Sequence, residues 1–252
     1  MMRQPRHASG VGVLDRCVWV LEAVEAGART LSDVVAETGL TRPTAHRLLL
    51  ALERHELLTR VGGRGYRLGP RLLRLSAVAM RELPMRDLAH PALERLARTT
   101  GESAQLYVRA GDRRVCVDTV ESTSELRTIV DIGASLPLTA GSAGKVFLAW
   151  DEARDLERVL TGYRRLTARA PDAARLRRNL VTIHRKGWAS SVGEREPGVA
   201  SVSAPVLGMN EIPVAVVSVS GPSNRIGPSR ARTLAPAMLE AAREIRTALG
   251  YP

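Results

Sequence analysis

Two short helical patterns joined through a single glycine constrain this chain more than any other feature. Residues 31–38 repeat apolar positions at helical spacing, and Thr30 before them is a candidate N-cap. The apolar positions are Leu31, Val34 and Val35. Gly39 provides the left-handed residue that ends this helix, and another helical pattern begins at Thr41. The sequence therefore predicts two helices that meet at a tight turn.

The second of these helices separates apolar from basic residues. Thr41 is its candidate N-cap, and Pro43 lies in the first turn, where a missing N–H costs nothing. At about 100° per residue, one face gathers Ala45, Leu48, Leu49 and Leu52. The opposite face carries Pro43, His46, Arg47, Leu50 and Arg54. We expect the first face to pack in a core and the second to stay exposed.

A preceding helix and a following hairpin complete this region. Leu14, Val18 and Leu21 recur at helical spacing, which predicts a helix from about Gly12 to Ala26 that Gly27 ends. After the basic helix come two strand-like runs, LLTRV and YRLG, around the GGRG turn. Helix, helix-turn-helix and hairpin together indicate a winged helix.

Positive charge is concentrated in the same region. The chain has a formal net charge of +11, which makes a polyanion a plausible partner. Residues 1–75 carry 12 arginines against 7 acids, and residues 57–81 contain six arginines and no acid. With aromatic residues at 3%, a stacking platform for single-stranded nucleic acid is not indicated. Double-stranded DNA fits this pattern better.

A winged helix with this charge predicts which residues contact DNA. The start of the basic helix would reach base edges in the major groove, through Arg42, Thr44, His46 and Arg47. The hairpin would contact the phosphate backbone, through Arg60, Arg64 and Arg67. Thr41, Pro43 and Arg54 complete the predicted surface.

The rest of the chain predicts a second, α+β domain. The run PRLLRLSAVAMREL is helical and forms a linker over residues 71–84, so that the domains are 1–70, 71–84 and 85–252. A helix is predicted at residues 85–100, and His90-Pro91 is expected to interrupt it. Strand patterns follow at 103–110, 113–121 and 125–133. Helices at about 151–160 and 171–186 precede strands in GWASSVGE, VASVSAPVL and IPVAVVSVS, and a helix at 228–249 closes the chain. Short turns between strands indicate an antiparallel sheet.

Several classes of protein find no support in the sequence. No apolar run approaches the roughly 20 residues of a membrane span, and no secretory signal follows the N-terminus, so we expect a cytoplasmic protein. Cys17 and Cys116 are far apart in apolar stretches and are expected to be buried free thiols. No catalytic or metal-binding motif is present, which predicts neither an enzyme nor a cofactor.

The segment LTAGSAGKVFLAW invites comparison with a phosphate-binding loop. That motif would require glycine at Thr139 and a hydroxyl residue at Val146, and both are missing. Free N–H groups at the start of a helix near Ser142–Gly144 still favour a small anion. We therefore interpret this segment as one wall of a metabolite pocket.

These segments, in this order, resemble the IclR-type transcriptional regulators along nearly the whole chain. The resemblance rests on GVGVLDRCVWVLEAV, LTRPTAHRLLLALERHELL, YRLGPRLLRL, LPLTAGSAGKVFLA, GWASSVGEREPGVASVSAPV and VVSVSGPSNRI. It implies an N-terminal winged helix-turn-helix and a C-terminal GAF-like antiparallel sheet with flanking helices. It also implies a ligand-responsive repressor that binds double-stranded operator DNA as a homodimer, often a dimer of dimers, without a membrane.

The resemblance further implies an effector pocket beside the sheet. Its residues map onto Ser142, Ala143 and Gly144 of the glycine-rich turn, onto Val199, Ser201, Ser218 and Ser220 of the later strands, and onto Leu126 and Ile129 as apolar walls. Ser191 departs from the pattern, because the family often has an acidic residue there. The GEREPGVASVSAPV version is similar to a high-GC bacterial subgroup associated with amino-acid metabolism, leucine biosynthesis in particular.

Two alternative functions stay open at this point. An architectural DNA-binding protein would use its C-terminal domain only for dimerisation and would bind no small molecule. A small-molecule enzyme fused to a DNA-binding domain would need a partnered base beside Ser218 or Ser220, and the sequence offers none.

Overall fold

The computed structural model describes residues 11–61, 65–81 and 84–251, and it divides the chain into two compact units, residues 1–83 and 84–252. Each unit has its own core. Within the described residues, no helix is both long and apolar enough to cross a membrane.

The first unit begins with three helices and has a core of small and branched apolar residues. These are α1 (Gly12–Glu25), α2 (Leu31–Thr38) and α3 (Arg42–Arg54). Thr30 caps α2, since its hydroxyl accepts from the Asp33 backbone N–H while the Asp33 carboxylate accepts from Thr30 N–H. Gly39 then ends α2 at φ 69°, which confirms the predicted tight turn into α3.

The predicted hairpin forms the remaining part of the winged helix. Strands β1 (Leu58–Val61) and β2 (Gly65–Leu68) pair antiparallel, with Leu58 opposite Leu68. Tyr66 N–H donates to the carbonyl of Arg29 at 2.7 Å, which ties β2 to the segment between α1 and α2. The buried ring of Tyr66 joins the core of this unit.

One part of α1 does not face that core. Val20, Ala23 and Val24 are buried, whereas Leu14 and Val18, which share the predicted helical stripe, are exposed. The following helix, α4 (Pro70–Arg81), also exposes Leu73, Leu75 and Val78. Two helices of this unit therefore present apolar side chains to solvent.

The second unit is a six-stranded antiparallel sheet with flanking helices. Along the chain come α5 (Pro84–Thr100), β3 (Ser103–Ala110), β4 (Arg113–Val120), β5 (Ser135–Pro137), α6 (Ser142–Ala149), α7 (Ala153–Leu160), α8 (Ala173–Lys186), β6 (Ala189–Val192), β7 (Val199–Leu207), β8 (Pro213–Pro222) and α9 (Pro228–Ala248). The strand order is β5-β4-β3-β8-β7-β6. Helices α5 and α9 pack together and on the sheet, while α6 packs on β7 and β8 and α8 packs on α6. The predicted α+β architecture is confirmed.

The expected interruption at His90-Pro91 is wrong, because α5 continues through Pro91 to Thr100. Proline removes one intrahelical hydrogen bond, but Pro91 is exposed while Ala89 and Leu93 beside it are buried. The His90 ring also hydrogen-bonds the buried Asp118 carboxylate at 2.7 Å. Tertiary packing of the buried face thus maintains a helix that local propensity disfavours.

The expected strand at residues 125–133 is also wrong. This segment contains no strand, and β5 begins later, at Ser135. Arg225 holds the segment instead, donating to the Leu126 carbonyl at 2.9 Å and to Ser124 Oγ at 3.2 Å. Arg225 thus satisfies one backbone carbonyl of this segment that a neighbouring strand would otherwise pair.

Candidate functional site

The exposed face of α3 is basic, as its periodicity predicts. Ala45, Leu49 and Leu52 are buried and Leu48 is half-buried. The opposite face exposes Arg42, Pro43, His46, Arg47 and Arg54, with Thr44 half-buried. The helix thus presents a row of cationic and polar side chains from its N-terminal end.

The N-terminal turn of α3 has an arrangement that the sequence did not predict. Thr41 occupies the N-cap position, but its hydroxyl donates to Thr44 Oγ at 2.9 Å and makes no capping bond. The backbone N–H groups of this first turn therefore receive no side-chain cap from Thr41. Arg42 reaches Ser32 Oγ only at 3.4 Å, and Arg47 is exposed. These donors are free to bind an outside partner.

The hairpin arginines differ in how far they are committed to contacts within the protein. Arg60 donates to Glu53 Oε2 at 3.1 Å and to the Tyr66 hydroxyl at 3.0 Å, and its guanidinium lies 5.2 Å from the Tyr66 ring centroid. Arg67 is exposed. Arg64, the predicted tip residue, lies outside the described residues. The structure thus offers Arg67 more readily than Arg60 for a phosphate contact.

The second unit contains a small cavity between α6, the sheet and the β6–β7 loop. Its volume is about 30 Å³, and a void of about 10 to 15 Å³ admits one water molecule. Its lining comprises Tyr107, Arg114, Val130, Gly141, Ala143, Ser191, Arg195, Val199, Ser201, Ser218 and Ser220. Six of the predicted effector residues are therefore brought together: Ala143, Ser191, Val199, Ser201, Ser218 and Ser220.

Ser142 and Gly144 support the cavity without lining it. The Ser142 hydroxyl lies 2.7 Å from Ser201 Oγ and 2.6 Å from Ser203 Oγ, and Ser203 donates to Ser218 Oγ at 2.8 Å. This chain of hydroxyls fixes α6 to β7 and β8. A Cβ on Gly144 would lie 2.2 Å from the Leu138 carbonyl oxygen, so only glycine fits this close approach.

The two residues predicted as apolar walls of the pocket, Leu126 and Ile129, do not line the cavity. Leu126 and Ile129 have exposed fractions of 63% and 57%, and Val130 is the buried member of that segment in the cavity lining. The Arg225 contacts that replace the expected strand set this orientation. Arg225 is itself fixed by both Glu102 carboxylate oxygens, each at 2.7 Å.

Arg114 is one of the cavity residues that sequence reasoning missed. It is only 3% exposed, and its Nη1 donates to the carbonyls of Pro137 and Ala140. Its Nε has no hydrogen-bond partner among the described residues. Burial lowers the pKa of Arg114 to about 10, so it stays cationic at neutral pH. Side chains alternate between the two faces of a strand, so Arg114 shares a face of β4 with the buried Cys116. This alternation is the sequence signal that could have indicated a buried arginine.

A second cation reaches the cavity from the β6–β7 loop. Arg195 lines it, and the neighbouring Glu194 lies beside Lys145 of α6 in a buried ion pair. Lys145 also donates to the Ser190 carbonyl at 2.7 Å. Burial lowers the pKa of Lys145, and the negative charge of Glu194 opposes that shift. The pair joins α6 to the loop that carries Arg195.

Cys116 and His184 have hydrogen-bond partners within the protein. Cys116 is buried, as expected, whereas the expectation that Cys17 is buried is wrong, since it is only half-buried; both are free thiols. The His184 ring lies at the end of α8 and bonds the Ala149 carbonyl at 2.9 Å. Among the described residues, no cluster of three or more His, Cys, Asp or Glu side chains could hold a metal ion.

Comparison with known proteins places both units in one family. Residues 13–62 match the IclR helix-turn-helix domain, and residues 77–247 match the bacterial transcriptional regulator IclR C-terminal domain. The HTH-type transcriptional regulator BhcR of Paracoccus denitrificans (strain Pd 1222) is 31% identical over 244 residues, covering 94% of this chain and 87% of BhcR.

Solved structures agree with this match. An IclR family transcriptional regulator from Brucella abortus superimposes with a TM-score of 0.81 at 26% identity, covering 95% of this chain and 92% of that one. An IclR homolog from Microbacterium hydrocarbonoxydans, complexed with 4-hydroxybenzoate, gives a TM-score of 0.76 at 26% identity over 94% and 99% of the two chains. The chain, with its winged helix and its antiparallel second unit, belongs to the IclR family of DNA-binding transcriptional regulators.

Proposed function

We propose that this regulator binds a specific operator through α3 and the hairpin, and that a small anionic metabolite in the cavity of the second unit changes its operator affinity. The observation that carries the proposal is the buried, cationic Arg114 in a hydroxyl-lined cavity of a protein that also exposes a basic recognition helix. A ligand alters DNA binding only if its affinity differs between the DNA-competent state and another state.

The DNA part of the proposal is supported by the exposed face of α3. Side chains near the N-terminus of such a helix reach base edges, and arginine reads guanine through two hydrogen bonds. Arg47 is exposed in the second turn of α3, where it can make such a contact. Arg67 on β2 is suited to a phosphate contact, which carries no sequence information.

Replacement of these two arginines tests the assignment. The operator is first located by footprinting the intergenic DNA beside the gene, and affinities are then measured by fluorescence anisotropy at several salt concentrations. Arg47→Ala should weaken operator binding by about 1 to 3 kcal/mol and relax sequence preference. Arg67→Ala should weaken operator and unrelated DNA equally and reduce the salt slope by about 1.

Arg178→Ala is the matched control, because Arg178 is an exposed helical arginine on α8 of the other unit. It should leave both affinity and salt slope unchanged. An Arg47→Ala variant with unaltered affinity and unaltered sequence preference would mean that α3 is not the reading helix.

The ligand part is supported by the chemistry of the cavity. A buried cation without a carboxylate partner is unfavourable unless a ligand compensates it. The hydroxyls of Ser191 and Ser201 can donate to an anion's oxygens. The related Microbacterium hydrocarbonoxydans protein was crystallised with 4-hydroxybenzoate, itself a carboxylate, which supports the same class of ligand here.

A homodimer is also part of the proposal. Val13 and Leu14 on α1 and Leu73 and Leu75 on α4 are each more than half exposed. Exposed apolar helix faces of this kind are typical of protein interfaces. Two copies would bring two recognition helices to an operator with two-fold character. Sedimentation equilibrium distinguishes a monomer from a dimer and from a dimer of dimers.

The architectural alternative makes a different prediction for the second unit. A module that only dimerises should show no saturable thermal stabilisation by any small molecule, whereas an effector domain should be stabilised by its ligand. A panel of organic acids and amino acids tests both this point and the proposed role in amino-acid metabolism. The active compounds should also change the footprint on the operator.

A further inference from the structure

We propose that the ligand of the cavity carries two negative charges, one facing Arg114 and the other facing Arg195. This inference rests on the proposed effector function and specifies the class of the ligand as a compact dianion.

The surroundings of Arg114 leave its charge uncompensated. Its hydrogen bonds to protein go to two backbone carbonyls, which are neutral, and its Nε has no partner among the described residues. Its guanidinium lies 5.3 Å from the centroid of the buried Tyr107 ring, which favours a cation but does not neutralise it. No carboxylate of a described residue forms an ion pair with Arg114.

Arg195 adds a second charge to the same cavity. Its side chain is 20% exposed, and its ion pair with Glu196 spans 3.4 Å to a carboxylate that is 62% exposed. Such a surface pair contributes little and is screened by water. Burial is the main cause that lowers the pKa of Arg114, and Tyr107 raises it. The positive charge of Arg195 lowers the same pKa, which indicates that the two cations interact.

The remaining groups around the cavity provide no negative charge. Apart from the two arginines, the lining residues are neutral: Tyr107, Val130, Gly141, Ala143, Ser191, Val199, Ser201, Ser218 and Ser220. The neighbouring Glu194 is committed to Lys145 in the buried pair. A ligand with one negative charge at Arg114 would leave Arg195 with only the exposed Glu196, whereas a dianion would pair with both arginines inside the cavity.

The size of the cavity limits the dianion to a compact one. A volume of about 30 Å³ admits two or three waters, which favours the smallest dianions, a short dicarboxylate or phosphate, over a nucleotide. Both kinds of dianion offer oxygens to the serine hydroxyls. The shared chemistry is two negative charges held close together.

The test compares ligands that differ in charge but not in carbon number. Isothermal titration calorimetry on the full-length protein at pH 7.5 and constant ionic strength uses acetate against oxalate, propionate against malonate and butyrate against succinate, with inorganic phosphate as a separate arm. At least one dianion should bind ten-fold or more tightly than its monocarboxylate partner. Tighter binding of phosphate than of every dicarboxylate would support a phosphoryl ligand.

Variants assign the second charge to Arg195. Arg195→Gln should reduce dianion affinity to that of the monocarboxylate, and Arg195→Lys should restore most of the difference. Arg114→Gln should weaken both kinds of anion, and its fold is checked by circular dichroism. Arg178→Gln, an exposed arginine of α8, is the control and should change neither.

The outcomes separate this inference from the proposed function. Saturable binding of a monocarboxylate with no preference for the dianion, or a preference that survives in Arg195→Gln, would overturn the inference and leave the effector function standing. Absence of saturable binding by every anion tested would overturn both.

Discussion

The buried pair between Lys145 and Glu194 gives a quantitative prediction for the second unit. Its side chains are 4% and 11% exposed, and it joins α6 to the loop that carries Arg195. We predict that Lys145→Met, which removes the ammonium group and keeps an unbranched side chain only one atom shorter, strongly destabilises this unit.

The magnitude follows from what Lys145→Met would leave behind. Glu194 Oε1 would lose its partner, and Oε2 already has none among the described residues. Removing one member of a buried pair costs about 3 to 5 kcal/mol because the other charge stays buried and uncompensated. Replacing both members by apolar residues of similar volume is often neutral, so Lys145→Met/Glu194→Leu should recover most of the loss.

Urea unfolding of the full chain measures these free energies. Trp150, which packs against the core of the second unit, and Trp188, under Lys186, report on that unit. Trp19 lies in the first unit, so all variants carry Trp19→Phe to remove its signal. The double-mutant cycle then gives the coupling energy of the pair.

A loss of less than about 1 kcal/mol for Lys145→Met would refute the reasoning, since that is the value expected of a solvent-exposed pair. A double variant as unstable as the single one would also contradict it. Destabilisation would then come from packing around Lys145 and not from the uncompensated charge of Glu194.

Two further substitutions test local features of each unit. Thr30→Ala should destabilise the first unit by about 1 kcal/mol, measured by thermal unfolding, because α2 loses the hydroxyl that caps Asp33 N–H. Gly144→Ala should destabilise the second unit by about 1 to 3 kcal/mol and weaken anion binding, measured by calorimetry. Its Cβ would lie 2.2 Å from Leu138 O and 2.7 Å from Arg114 Nη1.

Each of these has a control in the same chain. Thr41→Ala should cost much less than Thr30→Ala, because Thr41 is at an N-cap without making the capping bond. Gly227→Ala should cost less than Gly144→Ala, because no atom lies within 4 Å of its added Cβ and only the N-cap preference of α9 is lost. Equal losses within either pair would show that capping or close approach is not the cause.

The cavity of the second unit shows what separate segments of sequence could and could not predict. Ser201, Ser218 and Ser220 were predicted by resemblance, and they meet because β7 and β8 pair with Ser201 opposite Ser220. Arg114 and Arg195 were not predicted, since each is one arginine among many. Leu126 is exposed and does not line the cavity, and Arg225, about a hundred residues later, holds its carbonyl.

The sequence by itself determined the winged helix and the identity of most helices and strands. Those features depend on contacts between near neighbours: the Thr30 cap, Gly39 at positive φ, and the spacing of apolar residues in α3. Only the tertiary structure decided that α5 continues through Pro91 and that Arg114 is buried with a charge left to compensate. Burial and charge pairing depend on residues far apart in the chain, and local propensity carries no information about them.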